Sequence, residues 1–368
     1  MPYLSAGCSG GNLSRLAPTG SSVRLVLSSL FFGIGWFALS FTFPLQAVRF
    51  GFNYSFTGLV GLIGSLPFVI AATIYLRSTD RMIATGIRAP PLILFTLSIV
   101  FQFLDRANFI PLVVVSSVAQ AFWWVSIEVS LGSMEASGSA EKYSAAWGVP
   151  NAAVPLVAGY IIQYTGFRYM YLAGTAAFLV SFLTLPRPAH VPPGRSKSNP
   201  KARYIVPLAF AGLASGFLYY VFVPYLRLSH FSYGTIGLLV GIYGISSATG
   251  YVALVFVRGS SERAYAALSS ALVSSVSVLF ATRDVFAILL ALIITGFGAS
   301  FAMSKILAYI SERTTPRLGV FYYETFFGIG FVTGAFGMGS MLQFAGILPV
   351  VLSLLSPLIY VVLLFALS

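Results

Sequence analysis

Apolar residues run along this chain in long blocks separated by short polar breaks. Blocks of roughly 18 to 25 residues are long enough to cross a bilayer as helices. Twelve are predicted, near 23–48, 55–77, 89–104, 109–134, 143–164, 168–186, 204–226, 234–257, 264–281, 285–311, 318–341 and 346–367. Pro90 and Pro91 suit the first turn of the third helix, where a missing N–H leaves no broken bond.

The breaks alternate in charge. With residue 1 on the cytoplasmic side, the inner segments hold fifteen of the 21 basic residues. The outer ones hold five: Arg49, Arg106, Arg168, Arg227 and Arg283. Lys305 is left within a helix. Lys and Arg collect on the cytoplasmic side of membrane proteins. The bias therefore predicts both termini inside and an even number of spans, most simply in the plasma membrane.

Composition agrees: 58% of the 368 residues are hydrophobic, 8% are charged and the mean hydropathy is +0.90. Soluble chains carry roughly a quarter charged residues. The net charge of +12 is spread over short loops and not gathered on one face, which argues against nucleic acid. One cysteine and two distant histidines, His190 and His230, offer no disulfide or metal cluster. No cofactor is expected. Residues 1–22 are polar and Gly/Ser-rich and read as a disordered cytoplasmic tail. "LSAGC" is not a lipoprotein signal, because no apolar stretch precedes it.

The longest internal break, "PRPAHVPPGRSKSNPKAR", is basic and Pro-rich. It divides the chain into a six-helix bundle at 23–186, a linker at 187–203 and a second six-helix bundle at 204–368. The halves repeat at an offset near 180. Pro44, Gly61 and Gly64 meet Pro224, Gly241 and Gly244. With a one-residue shift, Phe52, Tyr54 and Gly58 meet Phe231, Tyr233 and Gly237. Gln163 and Gly166 meet Gln343 and Gly346. Because six is even, both halves enter from the same side, so the pseudo-two-fold axis lies along the membrane normal.

This arrangement resembles the major facilitator superfamily over nearly everything after the tail. "GYIIQYTGFRYMY" (159–171) is similar to that family's junction of helices five and six. "YLRSTDRMIATGIR" (75–88) keeps Asp80 and Arg81 of its loop between helices two and three. "VPLVAG" keeps Pro155 and Gly159 of an element associated with exporters. The resemblance implies an all-α membrane protein of twelve helices in two pseudo-symmetric bundles. It also implies that helices one, four, seven and ten line a central cavity.

Glu128 stands inside an apolar helix, where an isolated charge costs roughly 2.5 to 3.5 kcal/mol on insertion scales. At an offset of 177, "EVSLGSME" meets "KILAYISE", so Glu128 falls on Lys305 and Glu135 on Glu312. The pseudo-symmetry then places Glu128 and Lys305 across the cavity, as a clamp that substrate or a proton releases. A static pair fixing bundle docking is the alternative. Glu324, two turns into helix eleven, is a further candidate proton carrier. Trp124, Gln120 and Tyr220 are expected to line the cavity. Asp80, Arg81, Glu135 and Glu312 form a candidate cytoplasmic gate.

No G-x-x-x-x-G-K-[ST] loop and no nucleophile, acid–base or metal constellation is present in the sequence. The chain is read as a secondary transporter and not as an enzyme. It is expected to move a small organic solute, amphipathic or zwitterionic, by alternating access, coupled to protons and with a lean to export. It is expected to act as a monomer in the lipid bilayer. The alternative reading is a non-transporting receptor or scaffold on the same fold.

Overall fold

The computed structural model describes residues 20–131, 139–185, 199–253, 261–282 and 284–366. Helices account for nearly all of them, and no strand occurs among the described residues. In chain order the helices are α1 (Gly20–Arg49), α2 (Tyr54–Tyr75), α3 (Asp80–Phe103), α4 (Phe109–Leu131), α5 (Ser139–Thr165) and α6 (Phe167–Leu183). They continue with α7 (Ala202–Leu228), α8 (Tyr233–Ala253), α9 (Glu262–Ala281), α10 (Val285–Ser311), α11 (Pro316–Phe344) and α12 (Ile347–Ala366). Ten of these are long and apolar enough to cross a membrane. Helix α6 is apolar but shorter, and α5, which carries Pro150, Asn151, Pro155 and Gln163, is not among the ten. The tail up to residue 19 and residues 187–198 of the linker lie outside the described residues, as does Glu135.

Local signals set the helix starts. Side chains of Asn53, Thr79, Ser261, Asp284 and Thr315 each accept a hydrogen bond from a backbone N–H two or three residues on, and Pro316 follows its cap directly. Helix α3 departs from expectation. It begins at Asp80, not near residue 89, because Thr79 caps the Met82 N–H. Pro90 and Pro91 therefore sit inside the helix, buried. The same tract carries Gly86, where Tyr75 and Ser126 of the neighbouring helices leave no room for a Cβ.

Two turns reproduce the repeat in backbone form. After α1, the Gly51 N–H bonds the Val48 carbonyl and the Phe52 N–H bonds the Ala47 carbonyl, with φ of 79° at Gly51. After α7, His230 and Phe231 bond Arg227 and Leu226 in the same pattern, with φ of 65° at His230. Both are left-handed C-terminal caps. Gly166 and Gly346, paired by the repeat, also share positive φ values of 91° and 84°. These four positions mark one face of the molecule, the turn face. The opposite face carries Arg77, Arg81, Lys201, Arg203, Arg263, Arg313 and Arg317 and forms the basic face.

Helices α1–α6 pack among themselves, chiefly α1 on α5 and α6, and α4 on α2 and α3. Helices α7–α12 do likewise, with α11 on α7 and α10 on α8 and α9. Two long seams join the groups, α5 against α8 and α2 against α11, with smaller contacts of α4 on α11 and α1 on α7. Each seam pairs a helix with the repeat-equivalent of its counterpart in the other seam. Near the turn face both bring backbones together. A Cβ on Gly159 or Gly237 would overlap the facing chain, and Gly58 and Gly339 are similarly closed in by Ala335, Phe336 and Tyr54. Small residues allow such approach in membrane helices.

Candidate functional site

A cavity of about 130 Å³ lies between the two groups, bounded by residues of α1, α2, α4, α5, α7, α8, α10 and α11. The first group supplies three tryptophans. Trp36 and Trp124 have centroids 5.0 Å apart, and Trp124 meets Trp147 edge-on at 5.7 Å. Behind them, Phe32 stacks on the fully buried Trp123 at 3.6 Å and 6°, which fixes α4 against α1. The second group supplies Tyr219, Tyr220, Tyr243, Tyr323, Phe327 and Phe331. Tyr220 meets Phe331 edge-on at 5.8 Å, and Tyr323 lies parallel to Phe327 at 6.3 Å.

Two helices change winding beside the cavity. Residues Leu218–Phe222 of α7 form a π-turn, closed by a bond from the Val223 N–H to the Leu218 carbonyl. Pro224 follows and has no N–H for the carbonyl four residues back, which favours this local rearrangement. Tyr219 and Tyr220 lie in the turn. In α11, Thr333–Gly337 forms a second π-turn, and the two turns pack against each other and against α2.

Polar groups are sparse and placed at the seams. The Tyr219 hydroxyl donates to Asn151 Oδ1 at 2.9 Å, from α7 to α5. Tyr243 Oη and Ser215 Oγ are 3.1 Å apart. The Gly234 N–H donates to Gln163 Oε1 at 2.9 Å near the turn face, and Ser55 and Ser340 hydroxyls lie 3.2 Å apart across the other seam.

Trp124, Gln120, Tyr220 and Glu324, all singled out in the sequence, line the cavity. Glu324 is 4% exposed, and its carboxyl lies close to that of Glu128, which is half-buried on α4. The two acids belong to different helix groups and come together where those groups meet. Lys305, half-buried on α10, holds its ammonium 5.1 Å from the centroid of Tyr265 and is not among the cavity-lining residues. Glu128 thus meets Glu324, a neighbour that repeat matching could not supply, because Ser144 stands at the equivalent place in the first half.

At the basic face, Asp80 Oδ1 and Arg317 Nη2 are 3.8 Å apart and bridge α3 to α11. With the two side chains 43% and 25% exposed, this pair contributes about 0–1 kcal/mol. Arg81 is exposed. Glu312, also exposed, lies 3.5 Å from Arg313, which pairs with Glu262 at 2.6 Å inside the second group. Trp36, Trp147, Asn151 and Tyr243 escaped sequence reasoning. An asparagine within an apolar helix was the one available signal.

Among the described residues no cluster of His, Cys, Asp and Glu could hold a metal. No family model and no curated protein matches the sequence. Solved structures do match. The human organic anion transporter MFSD10 (TETRAN) superposes with a TM-score of 0.69 at 13% identity, covering 94% of this chain and 99% of its own. A mutant form of the nucleoside transporter NupG gives 0.67 at 14%, covering 94% and 98%. At such identities the likeness concerns architecture: this chain shares the fold of those two structures.

Proposed function

We propose that this protein is a secondary active transporter that moves a small organic solute by alternating access. The carrying observation is the cavity between two helix groups, with the carboxyls of Glu128 and Glu324 brought together from the two sides. In this reading the chain spans the membrane twelve times as two six-helix bundles, 23–186 and 204–368, linked by 187–203. The bundles rock about the cavity. The basic face is cytoplasmic by the positive-inside rule, so both termini lie inside the plasma membrane. The protein acts as a monomer.

The coupling ion is the proton. Glu128 and Glu324 carry it, and Lys305, on the helix equivalent to that of Glu128, completes the set. The side chains of Tyr251 and Tyr323 also lie near the pair. Losing the shared proton leaves two like charges in a low-dielectric site, which pushes α4 from α11. Such repulsion is a means of driving the bundles apart. Asp80, Arg81 and Arg317 act at the cytoplasmic gate, with Glu312 beside it; Glu135 is assigned to the gate from the sequence alone. Pro155 and Gly159 lie on the α5/α8 seam, and their resemblance to an exporter element favours export.

The test is solute flux in proteoliposomes under an imposed pH gradient. Wild-type protein should accumulate solute only with the gradient. Glu128→Gln and Glu324→Gln should lose that dependence yet still exchange internal for external solute. Solute binding without flux in the wild type would favour a receptor on a transporter fold.

A further inference from the structure

We propose that the cavity selects organic cations built on a flat ring, and that Glu324 supplies the counter-charge. The assignment rests on the transporter reading only in treating the cavity as a substrate site.

The charge inventory of the cavity carries the argument. Although the chain has a net charge of +12, none of the described residues lining the cavity is Lys, Arg or His. Among those same residues Glu324 is the one carboxylic acid, with Glu128 close to it. A carboxylate in so dry a site needs a positive partner, because burying an unpaired charge is costly. A ligand cation can supply that partner. An anion would instead meet the acids and no basic residue in the lining. A zwitterion would find no partner there for its carboxylate, since Lys305 does not line the cavity.

The walls fit the same ligand. Trp36, Trp124 and Trp147 surround one side, and the negative faces of indole rings attract cations. Aromatic side chains also stack against a flat ring. The cavity volume of about 130 Å³ approaches the roughly 150 Å³ of an engineered cavity that holds benzene. A single ring therefore matches its size. Gln120 and Asn151 provide amides for one polar edge of the solute.

The experiment uses the full chain, purified in detergent, and three single-ring probes: phenyltrimethylammonium, benzyl alcohol and benzenesulfonate. Titration calorimetry should show the permanent cation binding at least about tenfold more tightly than the sulfonate. Glu324→Gln should weaken the cation by about tenfold or more and leave benzyl alcohol unchanged. Glu324→Asp, which keeps the charge, should retain the preference and gives the same reading if the glutamine variant does not fold. Trp124→Leu should weaken the cation more than the alcohol. Sulfonate binding as tight as the cation, no cation binding at all, or unchanged cation affinity in Glu324→Gln overturns the assignment. Flux in proteoliposomes separates the two claims. Charge-selective binding without flux sustains this assignment and removes the transport reading. Flux with anion preference sustains transport and removes this assignment.

Discussion

The two ends of the same seams are built differently. Near the turn face, α5 meets α8 and α2 meets α11 through backbone. Gly237 faces Gly159 and Pro155, and Gly339 faces Tyr54 and Gly58. Toward the basic face the contacts pass to side chains. A Cβ on Gly148 would stand 3.8 Å from Tyr251, an ordinary contact, while Trp147 and Tyr251 rings lie 5.8 Å apart and Asp80 reaches Arg317 at 3.8 Å. Backbone contact between glycines has little give, because packed interiors respond to a single added methylene. Long side chains can part and re-pair at small cost. The turn-face end is thus held by shape and the basic-face end by replaceable contacts, so under the proposed alternating access the basic-face end is the one expected to part first.

The largest effect should come from breaking the shape closure. Gly159→Leu adds a side chain where Gly237 and Tyr233 leave no space. Overpacking costs about 1–3 kcal/mol, here charged to the closed seam, so flux should fall by about tenfold or more while the purified protein stays monodisperse. Gly330 offers a control. Its Cβ would strike the Ala209 carbonyl inside the second helix group. Gly330→Ala should therefore lower the unfolding temperature more than Gly159→Leu does, as read by a thermal melt.

A smaller effect is expected at the middle of the seam. Tyr219→Phe removes a hydrogen bond to Asn151 worth about 0.5–1.5 kcal/mol and leaves a buried amide oxygen without its donor. Uptake should change by about two- to tenfold. The smallest effect belongs to the basic face. Asp80→Asn should alter uptake by at most a few-fold, and added salt should reproduce part of the change in the wild type.

These contrasts also show what the sequence can convey. The helices are legible because apolar runs of membrane length have few other uses. The left-handed turns at Gly166 and Gly346 are legible as a repeated glycine, whereas the turn at Gly51 has its counterpart in His230, which is not one. The start of α3 is misleading in sequence because two prolines resemble a helix start more than Thr79 does, yet the threonine cap decides it. The pairing of Glu128 with Glu324 is hidden. Repeat matching finds equivalent positions, whereas this contact joins α4 to α11, which are not equivalents. The π-turn that places Tyr219 and Tyr220 at the cavity leaves only Pro224 as a trace.

The central claim is that the two helix groups rock about the cavity. The most direct measurement places spin-label pairs on exposed sites at both ends, with Cys8 replaced by Ser. Tyr164 and Phe344, 76% and 80% exposed, report the turn face; Thr79 and Glu312 report the basic face. Protonation and solute should lengthen one distance as they shorten the other. Distances that both stay fixed, or that change together in one direction, would contradict the account.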